Sequence, residues 1–288
     1  MTYQFIHDHQ HQFSLKRLCR LLSSSRSAYY NWLTSKPGKW AQENAELLQE
    51  IRVIHQHSRQ TYGSPRITRE LHKRGYSCSR ARVARLMAKN NICAKTKRKF
   101  KVTTDSGHQY PVSPDLLNQD FTANYPNKIW VSDITYIQTM TGWLYLTVIL
   151  DLFNRQVVGW SLSQRLTAIT TTLPALNDAF HRQRPDRGLI FHSDRGVQYA
   201  CHEFRKKLAD CQMTQSMSGK GNCYDNAVAE SFFHTLKTEL VYFETYETKE
   251  QARQSLFEYI EVFYNRQRLH SALGYQSPAE YAVLKKAA

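Results

Sequence analysis

"KIWVSDITYI", Lys128 to Ile137, reads as a β-strand, because Ile129, Trp130, Val131, Ile134 and Ile137 are β-branched or aromatic and Pro126 and Gly142 bound the run. Asp133 sits in its middle. A carboxylate embedded in a core strand costs free energy unless it is paired or holds a cation, so the strand that sets the fold also marks a site. Two more such runs follow, "WLYLTVILDLF" from Trp143 and "RQVVGWSLS" from Arg155, with Thr141-Gly142 at the first turn. They predict an antiparallel meander. Beyond it come a helical stretch "ITTTLPALNDAFHR", a buried strand "GLIFHSD", a helix "CHEFRKKLADC", a short strand "MTQSMS", a glycine-bearing loop, and the helix "NAVAESFFHTLK" from Asn226 to Lys237. That order predicts an α/β fold, a mixed five-stranded sheet with helices on its faces.

Upstream of the sheet the pattern is helical and basic. Residues 1–101 carry 21 Lys and Arg against 5 Asp and Glu, whereas the remainder is nearly neutral at 18 against 19, so the formal charge of +15 lies entirely in the first third. A one-sided block of this size predicts a polyanionic partner, since each phosphate neutralised by Lys or Arg releases condensed counterions. "SLKRLCRLL" and "SRSAYYNWL" form a small helix-turn-helix-like segment over 1–40. "PRITRELHKRGYSCSRARVARLM" predicts a second one within 41–101, with Ser79 capping its second helix and Arg82, Arg85 and Lys89 on its outer face. Such a face suits a helix laid on DNA, although a solvated surface has the same composition. "KTKRKFK" follows, with Lys97, Arg98 and Lys99 at its centre as DNA-binding candidates. Residues 102–125, rich in Thr, Ser, Asp, Asn and Pro, predict a linker to a catalytic core over 126–240 and a helical extension over 241–288.

Other classes are disfavoured by composition. The apolar run Trp143 to Leu150 is far shorter than the ~20 residues of a membrane helix, so no membrane partner and a cytoplasmic, nucleoid-associated location are expected. The six cysteines never pair as C-x-x-C, which gives no sign of a zinc knuckle or disulfide framework.

Three carboxylates are distinguished by placement. Asp133 is inside a strand, Asp194 ends another where α/β sheets present ligand sites, and Glu230 lies at the rim of the apolar face of its helix, with Lys237 seven residues on. Two strand carboxylates and one helix carboxylate could converge on Mg²⁺, a hard, oxygen-seeking ion.

With 60 residues between Asp133 and Asp194, 35 between Asp194 and Glu230, and Lys237 trailing, the pattern resembles the D-D-35-E signature of retroviral-integrase-like transposases. "WVSDITYI", "HSDRGVQY", "GNCYDNAVAESFFHTLK" and "YNRQRLHSALGYQSPAEY" resemble the second-frame (OrfB) product of the insertion-sequence-three family of bacterial transposases. The resemblance implies a ribonuclease-H-like catalytic core with Asp133, Asp194 and Glu230 as catalytic residues and as ligands of two Mg²⁺ or Mn²⁺ ions. Such a pair can activate an attacking oxygen and stabilise the leaving one at phosphorus. It implies metal-dependent 3′-end cleavage and strand transfer at the ends of an insertion sequence, with Lys237 beside the DNA. The expected partners are double-stranded DNA of element ends and target, further copies of the chain on DNA, and an upstream-frame protein or fusion. Two alternatives stay open, a hydrolytic nuclease of the same fold and a catalytically inactive DNA-binding regulator.

Lesser expectations complete the reading. His192 and Arg195 flank Asp194 and could touch DNA, with His192 equally suited to a structural role; Asp225 or Asn226 caps the Glu230 helix; His234 is equally suited to a solvated edge and to an active-site contact; Asp151 stays outside the site. Trp130, Trp143 and Trp160 are assigned to the core, and Asn265, Arg268 and His270 to packing or DNA contact.

Overall fold

The computed structural model describes residues 2–34, 38–95, 110–219 and 223–286. Lys97, Arg98 and Lys99 therefore lie outside the described residues, as does part of the expected linker. The chain forms two compact units, residues 1–52 and 53–288.

In the first unit, α1 (Thr2–His9), α2 (Leu15–Leu21) and α3 (Arg26–Thr34) close around Ile6, Leu18, Cys19 and Tyr29. Ser25 stands before α3 and its Oγ accepts the Ala28 N–H at 3.0 Å, a hydroxyl cap for an amide that has no partner within the helix. Helix α4 (Lys39–His57) runs on into the second unit.

In the second unit, α5 (Ser64–Lys73) begins with Pro65 in its first turn, where the missing N–H costs nothing. After Gly75, held at φ 87°, comes α6 (Arg80–Lys89), whose Ser79 cap accepts the Arg82 N–H at 3.2 Å as expected. Ile67 and Leu71 of α5 and Val83 and Met87 of α6 are buried, the helical spacing realised as a helix pair.

The sheet has strands β1 (Ile129–Thr139), β2 (Gly142–Asp151), β3 (Val157–Ser163), β4 (Ile190–Ser193) and β5 (Thr214–Met217) in the order β3-β2-β1-β4-β5. The first three are antiparallel, while β1–β4 and β4–β5 are parallel, so this is the mixed five-stranded sheet expected. Parallel neighbours need crossover connections, supplied by α7 (Thr172–Gln183) and by α8 (Val197–Ala200) with α9 (His202–Asp210). One face carries Trp130, Ile149, Val158 and Phe191 against Leu176, Phe204 and Leu208 of these helices. Gly159 of β3 permits this approach: a β-carbon there would stand 2.6 Å from the Ala175 carbonyl and from Ala179. The opposite face receives α10 (Ala227–Glu239), which packs on β1 and β2 with Ala229, Phe232, Phe233 and Leu236 buried.

The C-terminal segment contains α11 (Lys249–Phe257), a π-helical stretch Glu258–Tyr264 and α12 (Pro278–Lys286). Trp130 is fully buried, but Trp143 is 51% exposed, which corrects its assignment to the core. It sits in the β1–β2 ribbon, opposite Gln138 and beyond the residues paired with β4, with its ring edge-on to Tyr136 at 6.2 Å between centres.

Candidate active site

Strand register brings the first two carboxylates together. The β1–β4 ladder ends at Ser132 opposite Ser193, so Asp133 and Asp194 are the next residue on each of two parallel neighbours, at the carboxyl end of β4. Both are half-buried. Asp133 Oδ1 accepts the Ile134 N–H at 2.7 Å; Asp194 Oδ1 accepts the Gly196 N–H at 2.9 Å. A β-carbon at Gly196 would stand 2.9 Å from that same Asp194 oxygen, so any side chain there would push the carboxylate aside.

Glu230 comes from the first turn of α10, where the positive end of the helix favours a carboxylate. It is exposed, yet it feels the Asp194 charge. Burial first, and Asp194 second, raise the Glu230 carboxyl above its ordinary value. Burial, then Asp194, and less strongly Glu230, raise Asp133 well above the carboxylate range, while Lys237 opposes the shift. The Lys237 ammonium is half-buried and its pKa is lowered by burial, with Asp133 resisting the change. The four side chains thus form one electrostatic group whose repulsion is only partly offset by its single cation. Among the described residues, no three His, Cys, Asp or Glu side chains stand close enough around one point to hold a metal ion. The donor set still fits a hard divalent ion: it offers carboxylate oxygens only, and such an ion would relieve the repulsion that raises Asp133 and Glu230.

The support beneath was not legible beforehand. The Ser132 hydroxyl donates to the Val148 carbonyl and shares a hydrogen bond with the Tyr199 hydroxyl, both at 2.8 Å, pinning β1 next to Asp133. Burial, with the charges of Asp133 and Asp194 adding, keeps Tyr199 firmly protonated. Asn226 occupies the residue before α10, but its side chain does not cap the helix; Nδ2 donates to the Ser132 carbonyl at 3.2 Å. Asp225 accepts the Gly219 N–H at 2.7 Å and the Gln119 amide at 3.2 Å. The expected cap is therefore corrected: both side chains tie the start of α10 to its surroundings, which a sequence cannot distinguish from capping.

The remaining candidates separate by burial. His192 is fully buried, with Nδ1 2.8 Å from Ser216 Oγ, and burial lowers its pKa, so it is a neutral structural histidine rather than a DNA contact. Arg195 Nε donates to the Ser218 carbonyl at 2.6 Å. His234 is exposed. Asp151 lies apart, opposite Trp130 in register, accepting the Asn127 and Phe153 N–H groups at 2.8 and 2.9 Å; burial raises it to about 6. In α6, Arg85 and Lys89 are exposed and Arg82 is half-buried.

The sheet and the helical segment before it agree with known families. Residues 123–223 match the family model described as "Integrase core domain", residues 230–283 match a second model of the same description, and residues 42–100 match an "HTH-like domain". The chain is 41% identical over 283 residues to transposase InsF for insertion sequence IS3A of Escherichia coli (strain K12), covering 98% of each chain. The chain belongs to the IS3 family of transposases. This transposase is also 44% identical over 264 residues to an uncharacterized 31 kDa protein of insertion element IS600 from Shigella sonnei, covering 92% of this chain and 97% of that one. Among solved structures, it is similar to a chain of a simian T-cell lymphotropic virus intasome, with a TM-score of 0.48 and 17% identity over 81% of this chain and 74% of that one. No described helix of the transposase is long and apolar enough to cross a membrane.

Proposed function

We propose that the transposase cuts the 3′ ends of its insertion sequence and joins them to target DNA, using Asp133, Asp194 and Glu230 as catalytic residues. The observation that carries this reading is the β1–β4 register that sets Asp133 and Asp194 on neighbouring strand ends, with Glu230 and Lys237 of α10 within reach of their charge. Asp133, Asp194 and Glu230 would hold divalent metal, Mg²⁺ or Mn²⁺, in two-ion form. When bound, such ions supply Lewis-acid stabilisation of charge at phosphorus.

The protein's own part is placement. The β1–β4 register sets two carboxylates on neighbouring strand ends, α10 carries the third, and Lys237 would offer a positive charge to a phosphate of the DNA end. Water as attacker gives the nick; a freed 3′-hydroxyl as attacker gives the joint. The basic helix pair, with Arg82, Arg85 and Lys89, and the following Lys97, Arg98 and Lys99 are read as the DNA-binding half of 41–101, and 126–240 as the catalytic half. Two ends must be brought together for joining, so further copies assemble on DNA, with an upstream-frame product as partner or fusion. A nucleoid location follows from that partner.

The test is incubation of the purified protein with a labelled duplex of its own element end, in Mg²⁺ and in EDTA. A nick followed by a joined product, only with metal, supports the reading. Nicking without joining would assign a nuclease, and binding without chemistry in every condition a regulator.

A further inference from the structure

The segment "YNRQRLHSALGYQSPAEY" from Tyr264 contributes nothing to the chemistry above, yet it encloses a dense set of buried polar contacts. Asn265 closes the edge of β3, accepting the Val157 N–H at 2.9 Å and donating to the Val157 carbonyl at 3.0 Å. Three residues on, Arg268 makes a two-pronged pair with Glu239, Nη2 to Oε1 at 2.7 Å and Nε to Oε2 at 2.8 Å. The Tyr259 hydroxyl donates to the same Oε2 at 2.8 Å. Glu239 is the last residue of α10, nine beyond Glu230 and two beyond Lys237.

A second cation reaches Glu239 from the helix-turn-helix-like segment. Arg66 of α5 stands 3.8 Å from Glu239 Oε1, with its guanidinium 5.5 Å from the centre of the Tyr62 ring. The Tyr62 hydroxyl accepts the Leu269 N–H at 2.7 Å and donates to the Gln267 carbonyl at 3.2 Å, bracketing Arg268. The two arginines are not held alike. The Arg268 and Glu239 side chains are only 6% and 9% exposed and directly hydrogen-bonded, whereas Arg66 is 23% exposed and beyond hydrogen-bond distance. Arg66 is thus the adjustable member of the set. His270, with Nε2 3.4 Å from Arg268 Nη1, adds no third charge, because burial and then Arg268 push it down to about 2.

We propose that Glu239 is a positioning residue, shared by Arg66 and Arg268, through which engagement of an element end by α5 and α6 sets the placement of α10 and so of Glu230 and Lys237. The inference rests on the transposase reading of Glu230. Its physical basis is that α10 is one rigid helix, anchored at its far end by a buried carboxylate that can tighten onto a second guanidinium.

The experiment is hydrogen exchange of α10 amides in the full chain, in EDTA, with and without a duplex of the element's own end. End binding is expected to slow exchange across 231–240 by about tenfold in the wild type, and by less than twofold in Arg66→Met, which still binds the duplex within about threefold; Arg66→Lys restores most of the protection. Equal protection in wild type and in a bound, folded Arg66→Met would overturn the coupling, as would protection that tracks DNA affinity alone. A parallel nicking assay in Mg²⁺ separates the two claims: protection with no nicking by the wild type would remove the catalytic reading and leave the coupling standing.

Discussion

Ser132 of β1 and Ser193 of β4 are partners in the parallel ladder, and the residue after each is an acid. Asp133→Asn, Asp194→Asn and Glu230→Gln are each expected to lower nicking and joining by about 10²–10³-fold or more, starting from the range seen when one electrostatic catalytic group is removed. End-DNA binding in EDTA should survive. Joining at wild-type rate by any of the three would remove that residue from the site.

Gly196 offers a subtler probe. Its φ of −60° suits alanine, but the added methyl would meet Asp194 Oδ1 at 2.9 Å, so the carboxylate must turn away. Gly196→Ala is expected to cut the nicking rate by about 10²-fold, the cost of roughly 1 Å of misplacement, with the melting temperature little changed. A variant that melts early would show instead that the turn itself collapsed.

The pH dependence follows from the raised carboxyls. Asp133 and Glu230 keep their protons to higher pH than ordinary acids, for Asp133 through burial and then the Asp194 charge. Activity that needs both ionised is lost earlier as pH falls. Because a cation competes with those protons, raising Mg²⁺ should move the acid limb of the rate profile to lower pH. Folding carries the opposite sign: protonation relieves repulsion in the native state, so the metal-free protein gains stability as pH falls through these raised values. Rate profiles that superimpose at low and high Mg²⁺ would contradict this account.

Asn265 is a stability residue by this structure. Asn265→Ala strips both partners from the Val157 backbone, leaving a buried donor and acceptor unpaired. A loss of about 2–6 kcal/mol is expected, from a penalty of about 1–3 kcal/mol for each of the two orphaned groups. Urea unfolding measures it, and a shift below about 1 kcal/mol would mean that water reaches the strand edge.

Lys237→Met should weaken catalysis more than Lys237→Arg, since the site needs a positive charge near Asp133 and arginine restores it without the compact ammonium. Equal rates for the two variants at saturating DNA would assign Lys237 to packing.

What could be read in advance was what local pattern encodes. The run of β-branched and aromatic residues from Ile129 to Ile137 marked β1, and the acid embedded in it marked a site; Glu230 stood out because it sat at the rim of an apolar helix face. The side chains that met their partners through distant chain were not visible. Tyr199 reaches Ser132 across 67 residues, and Asn226 reaches the same serine's carbonyl across 94. Glu239 did leave a signal: a carboxylate in the last turn of a helix opposes the macrodipole and implies a cation elsewhere. Trp143 failed for a different reason, as a strand pattern says which residues share a face but not whether anything covers that face.

The π-helical stretch Glu258–Tyr264 widens the turn just before Asn265, with Tyr259, Ile260, Phe263 and Tyr264 all buried along it. An α-helix advances ~100° per residue, so the extra residue housed in a π-turn sets the phase of everything after it. Removing one residue from this stretch would swing Asn265 off Val157 and Arg268 off Glu239 together. The tail of the chain is in this sense indexed to the sheet: length within Glu258–Tyr264, more than side-chain identity, is what insertions and deletions must respect.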